Sequence, residues 1–237
     1  MDVSGGIIKF ASMKTWVIIV AGGSGSRFGS SVPKQFLELG GEPVLWHSIR
    51  AFHAALKPDV EIIVALPEHQ ISLWRSMVGN KTGMINHRLV AGGESRFHSV
   101  KNALGIISPA ADDLIAVHDG VRPLVSEAVI RQAVDEARRY GSAVPVVPVT
   151  DSIRQVTDCE NKALNRATLR AVQTPQVFKA ELLIKAYEQA YDPTFTDDAS
   201  VWERAGNKVH LSAGETRNLK ITVPDDLEIA EMYLRDE

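Results

Sequence analysis

Val17-Ile18-Ile19-Val20-Ala21-Gly22-Gly23-Ser24-Gly25-Ser26-Arg27-Phe28-Gly29, with Pro33-Lys34-Gln35 shortly after it, decides how this chain is read. An apolar β-branched run of this kind marks a strand buried on both faces, as in a parallel sheet covered by helices. The glycines that follow free the backbone to bring N–H groups close to an anion. Arg27 and Lys34 add positive charge beside the loop. A polyphosphate is the simplest ligand for this combination; an ordinary Gly-rich strand-to-helix turn with two solvated cations is the alternative. Two familiar phosphate loops do not match. The dinucleotide fingerprint G-x-G-x-x-G finds Gly23 and Gly25 but meets Phe28 at its third glycine, and no Gly-Lys-Ser/Thr closes a P-loop.

Outward from this stretch, strand-like runs alternate with helical periods. Leu45, Ile49, Phe52 and Leu56 recur at helical spacing, and a strand follows at Glu61–Leu66. Phe97, Val100, Leu104 and Ile107 mark another helix, ahead of a strand at Leu114–Val117. Ser126 is placed to cap a helix that Gly141 stops. Pro145 and Pro148 make Ala143–Val149 an edge strand or a strand in pieces. Later elements are a helix at Lys179–Tyr191, strands at Lys208–Ser212 and Leu219–Val223, and a helix at Pro224–Leu234. The alternation predicts an α/β fold: a mostly parallel sheet with helices on both faces. Ligands of such sheets bind beyond the carboxyl ends of the strands. The Gly loop lies there, and so does Asp119.

With 237 residues, 45% of them hydrophobic, the chain is long enough for one sizeable core, and a net charge of -3 argues against a broad nucleic-acid surface. No apolar run is long enough to cross a bilayer. Cys159 is the only cysteine, which excludes an internal disulfide and fits a reducing compartment, so a cytoplasmic location is expected. Residues 1–13 read as an extension, native or added, ahead of a start at Met13-Lys14, and 14–237 as a single domain. Within it, 150–172 breaks the rhythm: polar, charged and poor in apolar runs, it is a surface loop or a functional projection.

Other clusters carry chemistry. His118-Asp119-Gly120-Val121-Arg122-Pro123 closes a buried strand with a carboxylate. A triphosphate travels with Mg²⁺, so Asp119 would hold the ion directly or through water, or else grip a ribose hydroxyl. A structural Asp–Arg turn is the plainer reading, and His118 reads as structural. Ala91-Gly92-Gly93-Glu94-Ser95-Arg96-Phe97-His98-Ser99 enters a helix, and its backbone and Ser99 are placed to read a base or ribose. Thr196-Asp197-Asp198-Ala199 is a helix N-cap with acids in the first turn. Lys220 would leave its strand on the face opposite Leu219 and Ile221.

Taken in order, A-G-G-S-G-S-R-F-G, P-K-Q-F, G-G-E-S-R, H-D-G-V-R-P, Q-T-P-Q, T-D-D-A-S and N-L-K-I-T-x-P-x-D-L resemble the 2-C-methyl-D-erythritol 4-phosphate cytidylyltransferases of the non-mevalonate isoprenoid pathway. The likeness runs from Lys14 to Leu234. It implies a Rossmann-like, GT-A-like nucleotidyltransferase fold with a projecting β-arm, CTP and methylerythritol phosphate as substrates, and Mg²⁺ as cofactor. Arg27 and Lys34 would stabilise the transition state; Arg166 and Lys220 would position the substrate phosphate. Ala21, Gly22, Gly23, Gly25, Gly93, Ser99 and Asp119 would contact the nucleotide. Asp119, Arg122, Ser152, Arg166, Thr196 and Lys220 would contact the acceptor. The family's arm embraces a partner subunit, so 150–172 would make a homodimer in which each site receives Ser152 and Arg166 from the other chain.

Two positions depart from the pattern. Ser152 stands where threonine is usual and keeps the hydroxyl. Leu164-Asn165-Arg166 replaces the usual V-D-R, which leaves Arg170 as an alternative to Arg166. Rival readings are a ribitol-5-phosphate cytidylyltransferase, a sugar-1-phosphate nucleotidyltransferase and a non-catalytic nucleotide-sensing domain.

Overall fold

The computed structural model describes residues 13–22, 32–79 and 85–235. In chain order the strands are β1 (Thr15–Val20), β2 (Glu38–Leu39), β3 (Glu42–Pro43), β4 (Val60–Leu66), β5 (Arg88–Ala91), β6 (Leu114–Asp119), β7 (Ser142–Pro148), β8 (Ile153–Val156), β9 (Asn161–Leu164), β10 (Arg170–Val172), β11 (Gln176–Lys179) and β12 (Leu211–Ala213). The helices are α1 (Val44–Leu56), α2 (Glu68–Val78), α3 (Arg96–Leu104), α4 (Glu127–Tyr140), α5 (Ala180–Ala186), α6 (Asp198–Arg204) and α7 (Pro224–Arg235).

β1 lies between β4 and β6, parallel to both, and β5 extends the sheet beyond β4. The continuous apolar run of β1 now has its reason: both faces are covered. Val17 and Ile19 pack with Leu45, Ile49 and Phe52 of α1 and with α4, while Trp16 and Ile18 pack with Phe97 and Val100 of α3 and with α5 and α6. Ile18 and Ile19 are both fully buried, and burying a side chain of that size stabilises by roughly 1.5–3 kcal/mol. A smaller cluster of Leu39, Val44, Val121, Ile221 and Ala230 fastens α7 and the β2–β3 hairpin to the end of the sheet.

Beyond β6 the sheet changes character. β11 runs antiparallel to β6 and β7, β10 runs antiparallel to β7, and β12 runs parallel to β7. The sheet is thus mostly parallel, with its antiparallel pairs gathered on one side. Of the two readings offered for Pro145 and Pro148, the edge strand is excluded: β7 has partners on both sides. Pro145, which has no N–H, faces the break between β10 and β11, and there its carbonyl accepts from Gln173 N at 2.8 Å. Pro148 ends the strand.

Two more expectations are corrected. Leu219–Val223 forms no ladder: Ile221 N donates to Val121 O at 2.9 Å, and Val223 O accepts from Asp226 N at 3.1 Å. Its alternating pattern comes from the side chains of Leu219 and Ile221 packing into the smaller cluster. The helix expected over Lys179–Tyr191 is regular only over Ala180–Ala186, although Tyr187 remains buried and Tyr187 and Tyr191 reach Phe97. The predicted cap at Ser126 does accept from Val129 N, and Gly141 ends α4 with φ 89. Residues 153–164 form a hairpin in which β8 and β9 pair only with each other, and its side chains are mostly exposed. Residues 170–172, counted with the arm in the sequence, pair with β7 in the main sheet instead.

Candidate active site

Register puts Val20 beside Asp119, and Gly120 N donates to Val20 O at 2.9 Å. The start of the Gly loop and the carboxylate therefore leave adjacent parallel strands side by side, at their carboxyl ends. A cleft of about 340 Å³ opens there, lined by Ala21, Gly22, Lys34, Gln35, Gly93, Arg96, Ser99, Asp119 and Lys220 among others. An adjoining cavity of about 220 Å³ takes Arg122, Thr174, Gln176, Thr196 and Asp197, and shares Arg96, Asp119 and Lys220 with the first.

Asp119 is the hub. Its Oδ1 faces Arg96 Nε at 3.3 Å; its Oδ2 faces Lys220 Nζ at 2.9 Å and Arg122 Nε at 3.6 Å. Burial alone would push this carboxyl up, but Arg96, Lys220 and Arg122 outweigh it and hold it well below the usual carboxylate range. Asp119 is ionised at any physiological pH. Among the described residues no group of three His, Cys, Asp or Glu could hold a metal ion. A divalent ion bound directly to Asp119 would meet three positive charges. Of the roles offered by the sequence, this donor set fits the ribose hydroxyl or a water-bridged ion and not direct ligation.

The second turn, leading into α3, is built tightly. A Cβ on Gly93 would lie 2.4 Å from the Cβ of His98, so only glycine fits. Ser99 Oγ donates to Ser95 O at 2.9 Å and accepts from Gly93 N at 3.0 Å, and Ser95 caps the helix. The hydroxyl of Ser99 thus fixes the shape of the wall it lines. Lys34 stands on a single 3-10 turn over Lys34–Phe36, where Gln35 anchors the backbone by donating from Nε2 to Ala21 O at 2.9 Å and Gln70 Oε1 at 2.7 Å.

Long-range contacts supply what the sequence did not reveal. Arg96 Nη2 meets Asp198 Oδ2 at 2.6 Å, and Asp198 is fully buried. The N-cap with an acid in the first turn forms as the sequence reads: Asp197 is the cap, accepting from Ser200 N at 2.9 Å, and Asp198 stands in the first turn, where it is a core anion. Burial pulls the Arg96 guanidinium down, yet Asp198 and Asp119 overcome it and leave it well above the ordinary arginine value.

Gln173-Thr174-Pro175-Gln176 fastens three pieces together. Gln173 Nε2 donates to Glu215 O at 2.8 Å, Thr174 Oγ1 accepts from Asp119 N at 3.0 Å, and Gln176 Nε2 donates to Asp197 Oδ2 at 2.8 Å. His118, fully buried, faces Thr174 Oγ1 with Nδ1 at 3.0 Å and Arg122 O with Nε2 at 3.1 Å. A carbonyl can only accept, so Nε2 carries the proton and Nδ1 accepts from the threonine hydroxyl. Burial pushes the His118 pKa down to about 4, consistent with that neutral tautomer. The motifs G-G-E-S-R and Q-T-P-Q were visible as motifs, but nothing local identified the partners of Arg96, Gln173 or Gln176.

The sequence-predicted residues fall into three groups. Ala21, Gly22, Lys34, Gly93, Ser99, Asp119 and Lys220 line the first cleft, and Arg122 and Thr196 line the adjoining cavity. Gly23, Gly25 and Arg27 lie outside the described residues. Ser152, Arg166 and Arg170 are exposed and line neither cavity; Arg166 instead donates to Thr150 O, and Arg170 donates to Ala167 O at 3.0 Å.

A family model described as IspD, 2-C-methyl-D-erythritol 4-phosphate cytidylyltransferase, matches residues 15–236. A curated relative of that name from Bacteroides thetaiotaomicron is 46% identical over 94% of this chain and 100% of its own. Another from Acidobacterium capsulatum is 40% identical over 94% of this chain and 98% of its own. The crystal structure of 2-C-methyl-D-erythritol 4-phosphate cytidylyltransferase from Thermus thermophilus superposes with a TM-score of 0.73 at 32% identity, covering 94% of this chain and 100% of the other. That of 4-diphosphocytidyl-2C-methyl-D-erythritol synthase from Anaerococcus prevotii superposes with a TM-score of 0.78 at 27% identity, covering 94% and 99%.

Proposed function

The chain belongs to the 2-C-methyl-D-erythritol 4-phosphate cytidylyltransferase family, and from that premise we propose that it transfers the cytidylyl group of CTP to 2-C-methyl-D-erythritol 4-phosphate. A phosphate oxygen of the acceptor attacks the α-phosphorus, the bond to the β-phosphate oxygen breaks, and pyrophosphate leaves. The product is the diphosphate-linked 4-diphosphocytidyl-2-C-methyl-D-erythritol. The observation that carries this reading is one wall, Arg96–Asp119–Lys220, shared by two adjoining cavities, as a donor and an acceptor meeting at one phosphorus require.

The chemistry asks for no strong base. A phosphate monoester is largely ionised near neutral pH, its second pKa being about 6 by analogy with phosphorylated side chains. The obstacle is one anion approaching another. Lys34, with Arg27, offsets that repulsion and stabilises charge on the five-coordinate phosphorus. The first cleft takes the nucleotide: Ala21, Gly22 and the following glycines at the phosphates, Gly93 and Ser99 at the base, ionised Asp119 at the ribose. Arg122, Thr196 and Lys220 receive the acceptor phosphate and contribute orientation. Asp119 would hold Mg²⁺ through water, and the ion would supply charge neutralisation at the triphosphate.

The β8–β9 hairpin belongs to this reading as an arm that embraces a second copy of the chain. Ser152 and Arg166 lie outside this chain's own cavities, which supports their delivery to the partner's site. No described helix is long and apolar enough to cross a membrane. The lone Cys159 fits a reducing compartment, which supports a cytoplasmic reaction.

An acceptor panel with CTP, scored by pyrophosphate release, tests the reading. Turnover with methylerythritol phosphate and little with ribitol 5-phosphate or sugar 1-phosphates is expected. Preference for ribitol phosphate would reassign the acceptor, and silence with every acceptor would favour a nucleotide sensor.

A further inference from the structure

Arg96 joins the wall shared by the two cavities to the buried core, and the reaction described above gives its side chain no task of its own beyond lining that wall. Its guanidinium holds two carboxylates with different nitrogens: Nε toward Asp119 Oδ1 at 3.3 Å, Nη2 toward Asp198 Oδ2 at 2.6 Å. Asp198 is fully buried, and its other oxygen accepts from Tyr187 Oη at 2.6 Å. Tyr187 in turn stacks on Phe97 at 4.8 Å within the core. Past Asp119 the chain of contacts ends on Lys220, whose side chain is 43% exposed, while its backbone neighbours are tied down by Ile221 N to Val121 O at 2.9 Å and Asn218 Nδ2 to Thr174 O at 2.8 Å. One end of this relay is fully buried, and the other is the more exposed of the two cations of the shared wall.

We propose that Arg96 is a positioning residue: it fixes the Asp119 carboxylate against Asp198, so that Lys220 is held at the boundary between the nucleotide cavity and the acceptor cavity. Without the clamp, Asp119 is free to rotate toward Arg122 and Lys220 loses its place. Lysine cannot substitute, because one ammonium cannot span two carboxylates in the fixed fork of a guanidinium. The proposal rests on the cytidylyl-transfer reading and names what orients that site.

Removing Arg96 alone would strand the buried charge of Asp198 and risk misfolding. The test therefore uses Arg96→Lys and the charge-paired double variant Arg96→Met with Asp198→Asn, beside wild type. Pyrophosphate release is measured against methylerythritol phosphate, CTP binding by calorimetry without acceptor, and folding by thermal unfolding. Both variants should lose about 10²-fold in kcat/KM for the acceptor, the scale of a misplaced reacting group, while CTP binding weakens by no more than about tenfold, the share of the one Asp119–ribose contact. Wild-type turnover in either folded variant would overturn the proposal. So would a loss of CTP affinity matching the loss of rate, which would make Arg96 a nucleotide contact. If neither variant folds, Arg96 is a structural residue and the proposal fails. A wild-type protein silent with every acceptor would overturn the functional reading and this proposal with it.

Discussion

The wall at the end of β6 and the hairpin of β8 and β9 are built from opposite materials. Asp119 and His118 are buried, and each is held by several partners from distant parts of the chain. Val156, by contrast, is 73% exposed, and the hairpin's strands bond only to each other. A polar group in the first place is costly unless satisfied, so every neighbour is specified. In the second place the chain carries apolar and cationic side chains that its own fold leaves uncovered. The first region draws its polar partners from its own chain; under the proposed reading the second is covered by another copy.

The comparison breaks most sharply at Lys34. Lys34→Ala should lower kcat by about two to three orders of magnitude, as loss of a preorganised charge does, while CTP binding largely survives. Near-normal turnover would remove Lys34 from the chemistry.

Next comes acid stability. His118 is neutral when folded, with a pKa of about 4, whereas an unfolded histidine titrates near 6.5. A lowered histidine value means that the unfolded chain binds the proton first. The stabilisation is complete above pH 6.5 and drains away as pH falls toward 4, by roughly 3 kcal/mol in all. His47 and His87 are also pushed down, chiefly by burial, and add to the same slope. Denaturant unfolding of wild type and His118→Gln across that window should show the variant's slope reduced; equal slopes would place the acid sensitivity elsewhere.

On the arm, Arg166→Ala should raise KM for methylerythritol phosphate by about tenfold, the scale of one lost charge-assisted hydrogen bond, and leave CTP affinity and folding alone. If only CTP binding changes, the acceptor role passes from Arg166, with Arg170 next in line. The smallest change in monomer stability belongs to Val156→Lys, within about 0.5 kcal/mol for an exposed position. Sedimentation should nonetheless show the dimer weakened. An unaltered dimer would separate the hairpin from assembly.

Much of the wall was legible because its signals are local. The apolar run of β1, the cap at Ser126 and the carboxylate closing β6 each declare themselves within a few residues. The clamp did not, because Arg96 and Asp198 lie 102 positions apart and nothing in Thr196-Asp197-Asp198-Ala199 separates a solvated acid from a buried one. Leu219–Val223 misled for a related reason: alternation records which side chains meet an apolar surface, and that surface can be a side-chain cluster as well as a neighbouring strand. The family resemblance placed Lys220 at the site without any of this, since it carries positions and not contacts.

Lys220 also has a place in time. A ribosome makes β1, Lys34 and the end of β6 early, and it makes the Asn218–Ile221 segment only when most of the chain has already emerged. Gln173 receives Asn218 and Glu215, and Val121 receives Ile221, from strand ends synthesised long before. The nucleotide wall therefore waits for its last cation. A nascent chain released before Asn218 would have the sheet and the Asp119 carboxylate without the lysine that faces it.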